Sequence, residues 1–522
     1  MKRWTALLLA VCLLFCMAGC DQFSPKTPGE GATINYHLPQ LVTSIDPQTV
    51  TSSSARTVVH ALYEGLCRVN ANNDLLPGMA ERWEHNEDYT EFTFYLRENA
   101  AWRNGDPVTA DDFVFAFTRA LDPNTGSQDM HDLFCIKNAQ AVYEGKTAAS
   151  NLGAKALDDR TLRITLEDPD ENFPYKTAQT VYMPCNRAFF EQTKGRYGLT
   201  YSTSCTNGPF CFVNRYSWEE RTSISLCSSS SYTGTAVVLP EYIQLTMGTT
   251  GAYEDPLSAL LNGTVDMCDL PAEDVDAARE AGCAVSAMEN VTCGILLNPA
   301  DEVLAVEEIR DMMFAALNSE TLAALVGENA TQNIVPSSVV LGGAAYRAQV
   351  NGCALPAHTV ASESELAAVL EENELESIGS MMILCADDPV SKAVANEMVI
   401  TWNSMFGTYF NILPLEESEL QSRVQSGDYQ ICIAEVTAKA YEPYSFLLQF
   451  ALLCPEESLL PVLQNADTPA ELYAVEQSLL DKGLVYPLWS DVSYCAQAPQ
   501  VSGAYVHALT ALEFTDVLKM KS

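Results

Sequence analysis

One apolar run stands out in this 522-residue chain, Trp4–Ala18, and no later stretch stays apolar for the roughly 18 residues that a bilayer-spanning helix needs. The body is therefore expected to fold in water around its own cores. The apolar run follows Lys2 and Arg3 and ends in Met17-Ala18-Gly19-Cys20. A basic head, an uncharged core and small residues at the exit are the marks of a secretory signal. Residues 1–20 are read as that signal, and Asp21–Gly31 (DQFSPKTPGEG), polar and rich in Pro and Gly, as a flexible tether over 21–32.

The length suggests two to four domains with ample core. Formal charge is −39, a surface that repels phosphates and excludes nucleic acid as a partner. There are 17 cysteines. Cys12 and Cys16 lie in the signal. No CxxC pair occurs, so compact zinc and thioredoxin patterns are missing. Cys205 and Cys211 are close enough in sequence for one bridge; buried free thiols are the expectation for most others. The six histidines are scattered, without HxxxH or HExxH, so no metal or other cofactor is expected. GxSxG and SxxK are also absent, so the chain is not read as an enzyme.

Strands and helices alternate in short units. Ala32–Leu38 and Glu91–Leu96 (EFTFYL) read as strands. Ser44-Ile45-Asp46-Pro47 is a turn. Ser53–Leu66 places Val58, Val59, Leu62 and Leu66 on one side of a helix. After the turn at Asn104-Gly105, Thr109 and Asp112 form a capping box for a helix ending before Asp122-Pro123. A second well-marked helix starts at Thr468-Pro469, with Glu471 three residues on, and stops at Gly483. Leu484–Trp489 resumes as a strand in which Pro487 suits an edge. Trp102, Phe94, Phe113, Val114 and Phe117 are expected to build a local core. No internal repeat is present, and the pattern is α/β or α+β in several lobes.

Several segments together resemble the extracytoplasmic solute-binding proteins of peptide ABC transporters, the oligopeptide/dipeptide-binding family. They are Ser44–Pro47 with Ala61-Leu62-Tyr63-Glu64-Gly65-Leu66, then Leu76-Pro77-Gly78-Met79-Ala80-Glu81-Arg82-Trp83. The longest is FTFYLRENAAWRNGDPVTADDFVFAFTRALDP, residues 92–123. Asn207-Gly208-Pro209-Phe210, Leu260–Asp266, Leu297-Asn298 with Ile309-Arg310, and Glu442-Pro443 with Ser445-Phe446-Leu447 follow in the family's order. The start also resembles a bacterial lipobox, which implies lipidation of Cys20 and a body anchored to the outer face of a membrane; a soluble secreted product is the alternative.

The resemblance implies an α/β, two-lobed periplasmic-binding-protein-like fold of class II with an additional domain, connected by a hinge. Lobe one would hold 33–52, 175–290 and 490–522, the additional domain 53–174, and lobe two 291–489. It implies capture of a peptide between closing lobes and delivery to an ABC permease with separate ATPase subunits, by a monomer. The chain has no GxxxxGK[ST] loop of its own for ATP. Family members place an aspartate shortly before the Glu/Asp-Pro step, where it pairs with the ligand's α-amino group. In this chain Lys439 occupies that place. Either Lys439 meets an anionic or acylated ligand or pairs with an acid such as Glu435, or the local alignment is shifted by a few residues or Lys439 points to solvent. Tyr441, Asn207 and Leu41 in the loop Leu38–Ser44 are the other cleft residues implied; taken singly, each also suits a structural role. A same-fold binder of an oligosaccharide or a nickel chelate, and a signalling-peptide receptor without transport, remain as alternatives.

Overall fold

A computed structural model describes residues 33–70, 74–248, 255–327, 329–337, 339–341, 344–437, 442–456, 458–466, 468–506 and 511–520. Cys20, the tether, Lys439 and Tyr441 lie outside the described residues.

The elements that position the site are, in chain order, β1 (Thr33–Leu38), α1 (Ser53–Leu62), β2 (Ala80–His85), β3 (Glu91–Leu96), α2 (Ala110–Ala120), β4 (Ala154–Asp158), β5 (Thr161–Thr165), β6 (Phe210–Phe212), β7 (Trp218–Glu219), β8 (Ser223–Ser228), β9 (Tyr242–Met247) and β10 (Met267–Leu270). Next come β11 (Ala284–Leu297), β12 (Met382–Ala386), α3 (Pro389–Phe406), β13 (Asn411–Leu415), β14 (Ile431–Thr437), α4 (Pro443–Leu453), α5 (Pro469–Asp481) and β15 (Val485–Gln497).

One mixed sheet runs through the molecule in the order β13–β12–β14–β11–β15–β10–β1–β9–β8–β6, with β7 paired to β8. A second sheet, β2–β3–β5–β4, is antiparallel throughout. The two-lobed α/β fold with an additional domain follows from this order. The strands β12, β13 and β14 are parallel to one another and belong to one lobe; β1, β9 and β10 are parallel and belong to the other. The long strands β11 and β15 cross between them.

Local chemistry accounts for the elements. In β3, Phe92, Phe94 and Leu96 are buried while Glu91, Thr93 and Tyr95 stay half-exposed, the period-two pattern of a strand with one covered face. The α2 start is held by one carboxylate oxygen of Asp112. It accepts from the Thr109 N–H at 2.9 Å, the Thr109 hydroxyl at 3.2 Å and the Trp102 indole at 3.0 Å. Trp102, Phe94, Phe113 and Phe117 are fully buried, and Val114 packs half-buried against them. The α5 start has the same box, with Thr468 and Glu471 bonding reciprocally.

Two expectations are corrected. The helix expected over Ser53–Leu66 ends at Leu62, because Tyr63 turns extended and Gly65 presses against the backbone of Thr177, where a Cβ would meet the Thr177 oxygen at 2.5 Å. Pro487 pairs with Gly294 of β11, while β10 meets β15 only over Tyr494–Gln497, so among the described residues no ladder covers the other side of Pro487, as its edge reading requires. The β11 ladder also shifts register between Cys293 and Gly294 at this point. Cys205 and Cys211 are both free thiols, and Cys211 faces Cys227 across the β6–β8 ladder instead.

The core falls into separate bodies. One continuous cluster joins β1, α1, β3, α2, β6 and β9. The sheet of the other lobe is covered on both faces: Leu296, Leu384 and Cys432 pack on one side, Ile295, Ile383 and Ile433 on the other.

Candidate functional site: the strip across the hinge strands

Both lobes share β11 and β15, so the joint between them is written in these two strands. In β11, Ala284–Val291 is exposed or half-buried and Thr292–Leu297 is buried. In β15, Val485–Ser490 is buried, Asp491–Tyr494 opens to solvent, and Cys495–Gln497 is buried again. The ladder is interrupted at the open stretch. Met288 stands opposite Ser493 and Val291 opposite Asp491, so Glu289 and Asn290 together face Val492 alone. This is a β-bulge, one extra residue on one strand, and it keeps Met288 and Val291 on the same face.

Strand alternation then sorts the side chains. Glu435 of β14 is opposite Cys293 of β11, which is opposite Trp489 of β15. Asp491, Ser493 and Cys495 follow at two-residue steps on that face. Cys495 is opposite Asp269 of β10, and Asp269 accepts a hydrogen bond from the Tyr36 hydroxyl of β1 at 3.1 Å. A polar strip therefore runs along one face of the sheet from Glu435, through the bulge, to Tyr36. It touches both lobes.

At its first end the strip meets the carboxyl ends of the parallel strands, where ligands of open α/β sheets bind. A cavity of about 370 Å³ lies there, lined by Cys293, Asp387, Asp388, Glu416, Glu417 and Glu435 among others. Several of these carboxylates have local duties. Asp388 caps α3 by accepting from the N–H groups of Val390 and Ser391 at 2.8 and 2.9 Å. Asp387 pairs with Lys392 at 2.7 Å, and Glu417 accepts from the Gln421 amide at 2.9 Å. Glu435 is different. Burial, then the negative charges of Glu417 and Asp491, push its carboxyl up to about 7, against a smaller opposing hydrogen bond from Trp489. A carboxyl poised there takes or loses a proton near neutrality, and a ligand cation beside it favours the ionised form.

At the other end a cavity of about 210 Å³ is lined by Tyr36, Ser53, Asp269, Ser286, Asn290 and Ser493 among others. Burial raises Asp269 to about 6. Ser493 donates to the Asn290 side chain at 2.9 Å across the bulge. Among the described residues, no group of three or more His, Cys, Asp and Glu is arranged to hold a metal ion.

Asn207 and Leu41 lie away from this strip. The Asn207 amide is engaged at both ends by one residue: it accepts from the Glu64 N–H at 3.2 Å and donates to the Glu64 carbonyl at 2.9 Å. Asn207 is 4% exposed and acts as a bracket, the structural role its sequence reading also allowed. Glu64 in turn bonds Arg97 at 2.8 Å and Tyr232 at 2.5 Å. Leu41 packs half-buried against the large core cluster. Sequence reasoning named Glu435 only as a partner for Lys439, and it missed Asp269, Asp491 and Tyr36. Their signal is weak because they come from four strands, distant in sequence.

Two lobes sharing a pair of crossing strands, with a polar strip and two cavities along the joint, define a hinged ligand-binding protein. Residues 74–453 match the model of the bacterial extracellular solute-binding proteins, family 5, and the chain belongs to that family. The oligopeptide-binding protein OppA of Bacillus subtilis is 33% identical over 238 residues, 44% of this chain and 43% of that protein. The dipeptide-binding protein DppE of the same organism is 32% identical over 243 residues, 44% of each. The matched stretch thus spans less than half the length of these curated relatives. In three dimensions, Listeria monocytogenes OppA bound to peptide superposes with a TM-score of 0.76 at 21% identity, over 95% of this chain and all of that one.

Proposed function

We propose that this chain is a lipid-anchored solute-binding protein that captures peptides outside the cell and delivers them to an ABC importer. The observation that carries this reading is the polar strip that crosses the bulge. A ligand lying on it touches both lobes at once only when they close, so binding and closure are one equilibrium. The peptide-binding names of the relatives support the ligand class. Lobe one comprises 33–52, 175–290 and 490–522, the additional domain 53–174 and lobe two 291–489. Acylated Cys20 holds the body at the membrane through the tether, near a permease whose ATPases are separate chains.

The acidic shelf around Glu435 favours a ligand that brings positive charge, as a free ammonium or a basic side chain. Native mass spectrometry of the mature protein purified from its host tests the class. Co-purified peptides are the expected result; a sugar or metal complex without peptide overturns it. Paired free and N-acetylated peptides test the amino-terminal contact. Tighter binding of the free form is expected, and equal binding removes the ammonium from the reading.

A further inference from the structure

The large sheet ends at β6, which follows directly on the Asn207 bracket and pairs only with β8 along the sheet path. Two cysteines stand directly opposite each other in that last ladder, Cys211 in β6 and Cys227 in β8. Their sulfurs are in contact at 3.7 Å. Opposed residues of an antiparallel pair hold their Cβ atoms about 4.5–5.5 Å apart, just wider than the roughly 3.5–4.5 Å of a disulfide. Small side-chain rotations and a slight closing of the ladder are therefore enough to bond them. We propose that Cys211 and Cys227 form a cross-strand disulfide when the folded protein meets a disulfide oxidant, stapling the edge strand β6 to its neighbour.

The surroundings suit the exchange. The hydrogen bond from Cys227 holds the Cys211 thiol below its ordinary value against burial, with a smaller contribution from the nearby charge of Arg103. The Arg103 backbone N–H is fixed on the Thr206 carbonyl at 2.8 Å, just before the bracket. Cys211 is 3% exposed, whereas Cys227 is only half-buried. Cys227 is thus the sulfur an oxidant reaches. The hydrogen bond with Cys211 and burial hold the Cys227 thiol up, so Cys227 first gives up its proton; its thiolate then displaces one thiol of a small disulfide and forms a mixed disulfide with the other half. The Cys211 thiolate then attacks the Cys227 sulfur and expels the second thiol. One S–S bond forms, one breaks, and the two cysteine protons end on the two released thiols.

A staple at this place has two effects. It closes a loop through β7 and restricts the unfolded chain. It also ties down a sheet edge, whose free N–H and C=O groups otherwise template pairing with another chain. The family's extracellular location supplies the oxidising setting.

The test treats the purified, reduced full chain with oxidised glutathione, alkylates remaining thiols and maps peptides without reduction. A Cys211–Cys227 linked peptide, lighter by two hydrogens, is expected, with Cys205 alkylated once the protein is unfolded. Oxidation is expected to raise the Tm of the wild type by a few degrees and to leave Cys227→Ser unchanged. Full alkylation of both Cys211 and Cys227 after oxidation, or a Cys205–Cys211 link, overturns the proposal. Because the experiment uses purified protein, its result does not depend on where the chain is exported or on what ligand it carries.

Discussion

Glu435→Gln separates the charge of the strip from its shape. The wild-type carboxyl ionises at about 7 in the folded protein, against about 4.3 in an unfolded chain. Its folded pKa is raised, so folding favours the protonated form. Stability from this group is complete below the unfolded value and declines as pH rises toward the folded one. At about 1.4 kcal/mol per tenfold change in protonation constant, the loss reaches about 4 kcal/mol above pH 7, and about 1–2 kcal/mol once screening on the open side of the cavity is counted. Glutamine keeps the shape and carries no charge at any pH. Urea melts of both proteins, followed from pH 4 to 8, are the assay. The variant is expected to match the wild type near pH 4 and to gain that margin by pH 8. A difference independent of pH, or a less stable variant at pH 8, refutes the placing of Glu435 as a half-buried, repelled carboxyl. The same variant is expected to lose at least tenfold in affinity for a cationic peptide at pH 8, with a smaller loss at pH 6.

Asn207→Ala leaves the Glu64 N–H and carbonyl without their partners and is expected to cost about 2–4 kcal/mol by chemical denaturation, with ligand affinity of the folded protein unchanged. Gly208→Ala puts a Cβ 2.6 Å from the backbone of Leu62 and Tyr63, so soluble yield and Tm are expected to fall sharply. Arg119→Met strips Asp46 of a paired guanidinium that reaches it at 2.7 and 2.5 Å. A loss of about 3–5 kcal/mol is expected from the buried, uncompensated carboxylate; Asp46→Asn with Arg119→Met together should recover part of it.

Legibility in the sequence followed the range of the interaction. The caps of α2 and α5 are made by residues three apart, and β3 by alternation inside six residues, so they could be read directly. Pro487 was legible too, because an edge preference is a rule about a missing N–H and, among the described residues, β15 has a ladder on one side only at that point. Cys205 and Cys211 are near in sequence, yet Cys211 belongs to Cys227 because ladder register, not chain distance, brings side chains together. The strip draws Tyr36, Asp269, Asp491 and Glu435 from β1, β10, β15 and β14. No local pattern marks such a set; only the strand order assembles it. The Asn-Gly-Pro-Phe segment shows the reverse case: it is one of the ordered set of segments that resembles the family, and its asparagine serves the backbone of Glu64.

The continuous apolar cluster that joins β1, α1 and β9 to β3 and α2 makes the additional domain and lobe one a single cooperative unit. Excised alone, the β2–β3–β5–β4 sheet with α2 would expose the faces of Phe94 and Phe113 that now belong to this shared cluster. In a calorimeter the molecule would melt as two blocks, not three. The hinge then divides the protein thermodynamically as well as mechanically: a cargo that bridges the strip couples the two blocks, and their separate transitions draw together as it binds.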